Sequence, residues 1–429
     1  MTWVHLDKLM PEKVTILRNI GQLATCPADA VQQDAGLISN AALVFEDNSI
    51  TWVGSEQQLP KQFKDHDFID CQQRLVVPGL IDCHTHLCFG GWRGDEFEQR
   101  LQGYSYQEIA ATGGGIRSTV AATRSGSAEQ LMEKARHSLE GMLDLGVTTV
   151  ECKSGYGLEE ASELKQLRVY QQLDQQQPID LVPTFLGAHM VPDEYRDKRD
   201  EYIRLLCEVL IPAVSEQKLA LFCDIFIEEG AFNISEAKKV LETARQAGLG
   251  LKVHADQLSS GGGAQLAAEL GAVSAEHLEY ADEAGIQALA GAGTVAVSLP
   301  LASLYLREPY VSARKMLVAG VKVAVATDFN PGSAPSYHLP LAMTLACVNQ
   351  QMTPQEVLMG VTTIAARAIA AEHRIGSLLP GFEADLTVID APSLNHWLYH
   401  FRANACSGVV KGGHWVKGLQ LVTASPSAV

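Results

Sequence analysis

From Gly79 onward the chain alternates short apolar runs with helical patterns for about 270 residues, the rhythm of βα units. Eight runs can be counted: LIDCH at 80–84, VTTVEC at 147–152, IDLVPTF at 179–185, LFCDIFI at 221–227, LGLKVHA at 249–255, AVSAEH at 272–277, TVAVSL at 294–299 and VKVAVATD at 321–328. Eight parallel strands predict a closed (β/α)8 barrel, and the length agrees with the roughly 250 residues such a barrel needs. Between the runs lie amphipathic segments such as EEASELKQLRVYQQLDQQQ (159–177), ISEAKKVLETARQAG (234–248) and GAQLAAELG (263–271), two of them closing on glycine as helices often do.

The chain ends read differently. VTILRNIGQLATC, GLISNAALVFEDNSITWVG and DFIDCQQRLVV, before the barrel, are strand-like segments broken by Asp-Asn and Gly turns, and RIGSLLPGFEADLTVID and ACSGVVKGGHWVKGLQ return to that pattern after it. The expected class is α/β: a TIM-type barrel over 77–372 and a small β-sandwich domain built from both chain ends, 1–76 and 373–429. This requires only that the termini meet on one side of the barrel.

Composition excludes several functions. No stretch of about 18 uninterrupted apolar residues could span a bilayer, and the start, MTWVHLDKLMPEKVTIL, lacks the pattern of a secretory signal, so a soluble cytoplasmic protein is expected. Nine cysteines without a C-x-x-C pair suit reduced thiols better than a disulfide framework. A formal charge of −17 repels phosphate backbones and anionic membranes, so neither nucleic acid nor membrane is an expected partner. An anionic small substrate would need cationic groups inside its site.

Strand geometry turns the histidines into a constellation. Residues two apart in a strand point to one face, so His84 and His86 both project toward the barrel axis. Chemistry in such barrels collects at the C-terminal strand ends, and there the fifth run supplies His254, the sixth His277 and the eighth Asp328. A lone histidine in a barrel strand is most often a satisfied polar residue. Imidazoles and a carboxylate converging on one mouth are instead the usual ligands of zinc or a similar ion, with room for a water. His5, His66, His137, His373, His396, His400 and His414 are expected to be surface or structural. Cys88, beyond the ligand pair, reads as a core filler, and the GGGI stretch at 113–116 as a loop over the site.

At this point PGLIDCHTH, the two strand-end histidines, TDFNPG and GSLLPGFEADLTVID resemble the amidohydrolase superfamily. More narrowly, CHTHLCFGGWRGDEFEQRLQGYSYQEIAATGGGIRSTVAATR, with VECKSGYGL, FLGAHMVP, KVHADQ and TDFNPGSAPS, is similar to the imidazolonepropionase family over nearly the whole chain. That resemblance implies a homodimeric hydrolase of histidine degradation, which opens the ring of 4-imidazolone-5-propanoate to N-formimidoyl-L-glutamate with one zinc or iron ion. It implies His84, His86, His254 and Asp328 as metal ligands. For the substrate it implies Arg93, Tyr106, Tyr156, His189, Gln257, Asn330, Gly332 and Ser333.

The implied mechanism has a metal-bound water attack the cyclic amide carbonyl, with His277 beside the oxyanion and Asp328 carrying the proton to the departing ring nitrogen. Arg93 offers a planar fork for the substrate's propionate. Gln257 can hydrogen-bond but not titrate, which disfavours deamination and makes it an orienter of the ring. Related barrels with two metals bridge them by a modified lysine from the fourth strand. Here that strand ends in Ile227, Glu228 and Glu229, while Lys153 ends the second, so one metal and an ion-pairing role for Lys153 are expected.

Overall fold

The computed structural model describes residues 14–104, 108, 113–418 and 423–424. The chain opens with β1 (Val14–Ala24), β2 (Leu37–Glu46), β3 (Ser49–Ser55), β4 (Phe68–Asp70) and β5 (Leu75–Pro78). A single residue, Gly79, separates β5 from the first barrel strand. The barrel strands are β6 (Leu80–Thr85), β7 (Val147–Lys153), β8 (Asp180–Ala188), β9 (Phe222–Ile227), β10 (Gly250–Ala255), β11 (Ser274–His277), β12 (Val295–Ser298) and β13 (Val323–Val325), each falling within or overlapping one of the eight apolar runs. They pair in parallel in chain order. The chain then returns through β14 (Leu386–Ile389), β15 (Cys406–Lys411), β16 (His414–Lys417) and β17 (Thr423–Ala424).

The two chain ends do meet, as one nine-stranded mixed sheet rather than two separate leaves. The reason is the length of β1: its first half pairs with β4 at Leu17 and Arg18, its second with β5 at Gln22 and Leu23, and its other edge carries β2. β14 joins from the far end of the chain by antiparallel pairing with β5. Leu17, Ile20, Leu43, Phe45, Val76, Leu386 and Val410 form this sheet's own buried cluster.

Helices cover the barrel. The segment Ile234–Gln246 shows how the sequence encodes one: Asn233 and Glu236 exchange capping-box hydrogen bonds at its start, and Ala237, Val240, Leu241 and Ala244 form the buried stripe. Each large side chain in that stripe contributes about 2 kcal/mol by burial. Among the described residues no helix is long and apolar enough to cross a membrane.

Inside the barrel the alternation matters more than the average hydropathy. Val150, Cys152, Cys223, Ile225 and Val253 are fully buried at positions that alternate with Glu151, Lys153, Asp224, Lys252 and His254, which are just as buried. Period two separates the two sets onto opposite faces. Ion pairs among Lys153, Glu151, Asp224, Glu276 and Lys252, drawn from four strands, show that the charged set meets in the lumen.

Candidate metal centre and active site

The barrel's first and last strands are joined by the residues that matter most. The amide of Asp328 donates to the carbonyl of His84 (3.0 Å) and that of His86 to Phe329 (2.9 Å), while Asp82 accepts from both the amide and hydroxyl of Thr327. Several strand ends then turn through left-handed backbone: Asp256 at φ 50°, His277 at 74°, Leu278 at 71° and Asp328 at 56°. Such conformations cost non-glycine residues about 1 kcal/mol or more and concentrate at functional sites.

His84 and His86 leave β6 on one face. Nε2 of His84 lies 3.2 Å from Asp328 Oδ1, Nε2 of His86 lies 3.4 Å from the same oxygen, and Nε2 of His254 lies 3.5 Å from Nε2 of His86. Donor atoms of His84, His254 and His277 gather within 4.8 Å of one another, as do those of His84, His86 and Asp328. All five side chains are buried, and Nε2 of His84 makes no well-directed hydrogen bond. Leaving buried polar atoms so costs about 1–3 kcal/mol each. A divalent ion resolves this, because neutral imidazoles and one carboxylate are its natural donors.

The charge states of His86 and His277 agree with that reading, whereas His84 must give up a proton to ligate. Burial pushes the pKa of His86 down to about 4 and of His277 down to about 3, so both rings are neutral near pH 7. Burial acts most strongly against a proton on His84, but the Glu276 and Asp328 carboxylates together outweigh it and hold the pKa up to about 9. Burial opposes the charge of Asp328, and the contacts with His84 and His86 outweigh that, holding it well below the usual carboxylate range.

A layer of residues not anticipated from the sequence lies under the histidines. Asp224 Oδ2 is 2.9 Å from His254 Nδ1, and Glu276 Oε2 is 2.6 Å from His84 Nδ1. Carboxylates behind ligating histidines fix the ring's tautomer and leave the opposite nitrogen for the metal. Lys153 does make ion pairs here, with Glu151, Asp224 and Glu276. A signal existed in the sequence: Glu151-x-Lys153 and Lys252-x-His254 place ionisable groups on one strand face.

The residues expected on the substrate side divide into those that line the mouth and those that shape it. His189 stacks on His86 with centroids 5.3 Å apart, and Tyr156 lies 5.8 Å from His86 and 5.4 Å from His189. His189 Nδ1 faces the Gly155 carbonyl at 3.0 Å. Arg93 donates from Nε to Thr119 Oγ1 (2.9 Å) and packs on Gly332. Asn330 is a turn builder: its Oδ1 accepts from the amides of Gly332 and Ser333, and its Nδ2 donates to the Asp328 carbonyl and Ser333 Oγ. Ser333 Oγ in turn reaches Asp328 Oδ2 at 3.3 Å.

Gln257 is half-buried between two clamped residues, since Asp256 accepts from the amides of Gly261, Gly263 and Ala264, and Glu228 accepts from the Leu258 amide and Ser259 hydroxyl. Tyr106 lies outside the described residues. Gly113–Gly115 form a turn that leads into the helix Ile116–Ser125, with the Gly115 amide and Ser118 hydroxyl held by Glu96. Cys88 carries a buried thiol, and its amide donates to the Tyr170 hydroxyl.

Residues 75–416 match the model of the amidohydrolase family. The imidazolonepropionase of Bacillus velezensis is 45% identical over 414 residues, covering 95% of this chain and 98% of that one. The imidazolonepropionase of Symbiobacterium thermophilum is 47% identical over 389 residues, covering 90% and 92%. The chain belongs to the imidazolonepropionase family of amidohydrolases. Solved structures agree on the fold: a triazine hydrolase variant superposes with a TM-score of 0.76 at 16% identity, covering 95% of each chain. An adenosine deaminase from Xanthomonas campestris with bound zinc superposes at 0.68 and 19% identity, covering 96% and 95%. Amidohydrolases are generally metal-dependent, and this imidazolonepropionase-family chain carries groups able to hold an ion.

Proposed function

We propose that His84, His86, His254 and Asp328 hold one zinc or iron ion, and that the site around them opens the ring of 4-imidazolone-5-propanoate to N-formimidoyl-L-glutamate. The chain is a hydrolase, and ring-opening hydrolysis in histidine degradation is its family's reaction. The observation that carries the residue assignment is the convergence of imidazole nitrogens on one oxygen of Asp328, at 3.2 and 3.4 Å, in a buried strand-end cluster.

An ion in that cluster supplies Lewis-acid polarisation of the ring carbonyl and lets water ionise near neutral pH. The residues do the rest. Arg93 binds the propionate through its guanidinium fork, supplying local charge in an acidic protein. Tyr156 and His189 hold the flat ring against the His86 face, with Gln257 orienting it by hydrogen bonding.

Asp328 is ionised at working pH, so it can accept a proton from the attacking water at Oδ2, beside the Ser333 hydroxyl, and hand it to the ring nitrogen as the C–N bond breaks. His277, neutral because of its burial, donates a hydrogen bond to the developing oxyanion. Asn330 and Gly332 build the turn that keeps Asp328 and Arg93 in register. Family resemblance adds Tyr106 to the proposed substrate contacts and supports a homodimeric assembly and a cytoplasmic location.

The test combines elemental analysis of the purified protein with an assay on 4-imidazolone-5-propanoate and on a panel of aminopurines and aminopyrimidines. Stoichiometric zinc or iron with ring opening is expected. Ammonia release from the panel without ring opening would overturn the reading.

A further inference from the structure

Under the histidines lie two buried lysines and three buried carboxylates: Lys153, Lys252, Glu151, Asp224 and Glu276. The Lys153 ammonium has three hydrogens and three carboxylate oxygens around it, at 2.8 Å from Glu151 Oε1, 2.7 Å from Asp224 Oδ2 and 2.8 Å from Glu276 Oε2. Two of these oxygens are shared. Asp224 Oδ2 is the atom 2.9 Å from His254 Nδ1, and Glu276 Oε2 is the atom 2.6 Å from His84 Nδ1. Lys252, by contrast, meets Glu276 at its other oxygen, Oε1, at 3.1 Å, and Glu151 at 3.8 Å.

We propose that Lys153 is a positioning residue for the metal centre, the tie that fixes Asp224 and Glu276 relative to each other and so aims His84 and His254 at one ion. This rests on the ligand assignment above. The two histidines come from β6 and β10, which are not neighbours in the barrel, so no backbone ladder joins them directly. Asp224 and Glu276, on the strands either side of β10, are like charges close enough to repel, and His254 Nδ1 lies 3.7 Å from Glu276 Oε2 as well as 2.9 Å from Asp224 Oδ2, so its aim depends on how the two carboxylates are held. A single ammonium bonded to both oxygens removes that freedom. The competing account gives Lys153 only the task of neutralising buried charge, which any arrangement with the same net charge would meet.

The double variant Lys153→Met/Glu151→Gln separates the two, because it removes one positive and one negative charge, keeps approximate side-chain size, and deletes the tie. The measurements are zinc affinity of the metal-free full-length protein by competition with a chromogenic chelator, and the visible absorption spectrum of the cobalt(II) form. Loss of the tie should weaken zinc binding by about 10–100-fold, the range found for groups that orient metal ligands, and should alter the cobalt spectrum. Glu151→Gln alone, which keeps Lys153 between Asp224 and Glu276, should stay within a few-fold of wild type.

If the double variant does not fold, Lys153→Gln/Glu151→Gln offers the same charge balance with a polar side chain that spans one carboxylate only, and the same weakening is expected. Wild-type affinity and spectrum in a folded variant that lacks the tie would overturn the proposal. Wild-type protein that takes up no ion would instead sink the ligand assignment, and the proposal with it.

Discussion

The guanidinium of Arg93 lies across Gly332 so closely that a methyl group on that glycine would collide with Nη1 and stand 3.1 Å from Cζ. The glycine belongs to the turn that Asn330 builds directly after Asp328. The proposed carboxylate anchor and the proposed proton carrier therefore share one short scaffold. Gly332→Ala should push the anchor aside without touching an imidazole. KM for the substrate should rise about tenfold or more, the equivalent of about 1.4 kcal/mol, with metal content unchanged and kcat less affected. Steady-state kinetics checks this, and an unchanged KM would remove Arg93 from the substrate set.

His84 stands between Glu276 at Nδ1 and Asp328 at Nε2, and its pKa is held up to about 9. An ion that takes Nε2 must displace the proton there, so metal binding should release about one proton below that pH and tighten as pH rises toward it. Calorimetric titration with zinc in two buffers of different ionisation enthalpy measures the proton count directly. A count near zero at pH 7 would argue that His84 does not ligate.

Asp328→Asn keeps the shape and removes the charge. With three imidazoles still present, the variant should retain a weakly held ion while turnover falls by about a hundredfold or more, the usual scale for loss of proton transfer. Metal analysis alongside the assay separates the two effects. Near-normal turnover would move the proton-carrying role elsewhere.

One acid-sensitive contact lies in the helix Pro354–Gly360. Arg314 grips Glu356 at 2.9 and 2.6 Å, and Glu356 also closes a capping box with Thr353. Burial disfavours the Glu356 charge, but Arg314 and the Thr353 cap together outweigh this and lower its pKa below the ordinary 4.5. A depressed carboxylate stabilises the fold above its unfolded pKa and loses that contribution as pH falls through the folded one. Melting temperature should therefore drop less steeply below pH 4.5 in Glu356→Gln than in wild type. Thr353→Ala should cost about 1 kcal/mol at neutral pH through loss of the cap.

The architecture was legible because period and spacing carry it. Eight runs gave eight strands, and His84-x-His86 needed only period two to aim both rings inward. The convergence of His84, His86, His254, His277 and Asp328 was readable from which residues end which strand. Asp224, Glu276 and Lys252 were not, because a buried charge inside an apolar run is interpretable only when its partner is known, and the partners lie on other strands in a register that one sequence does not display. The Glu96 contact that holds the Gly115 amide was hidden for a related reason, since it comes from a different segment.

The seam between β6 and the segment after β13 is closed by the backbones of His84, His86, Asp328 and Phe329. Half of the ion's proposed holders are made early in synthesis and Asp328 late. A nascent chain that has not yet reached residue 328 offers the imidazoles without Asp328 and without the closing seam, so a truncated product lacks the proposed proton carrier and is excluded from activity by its topology.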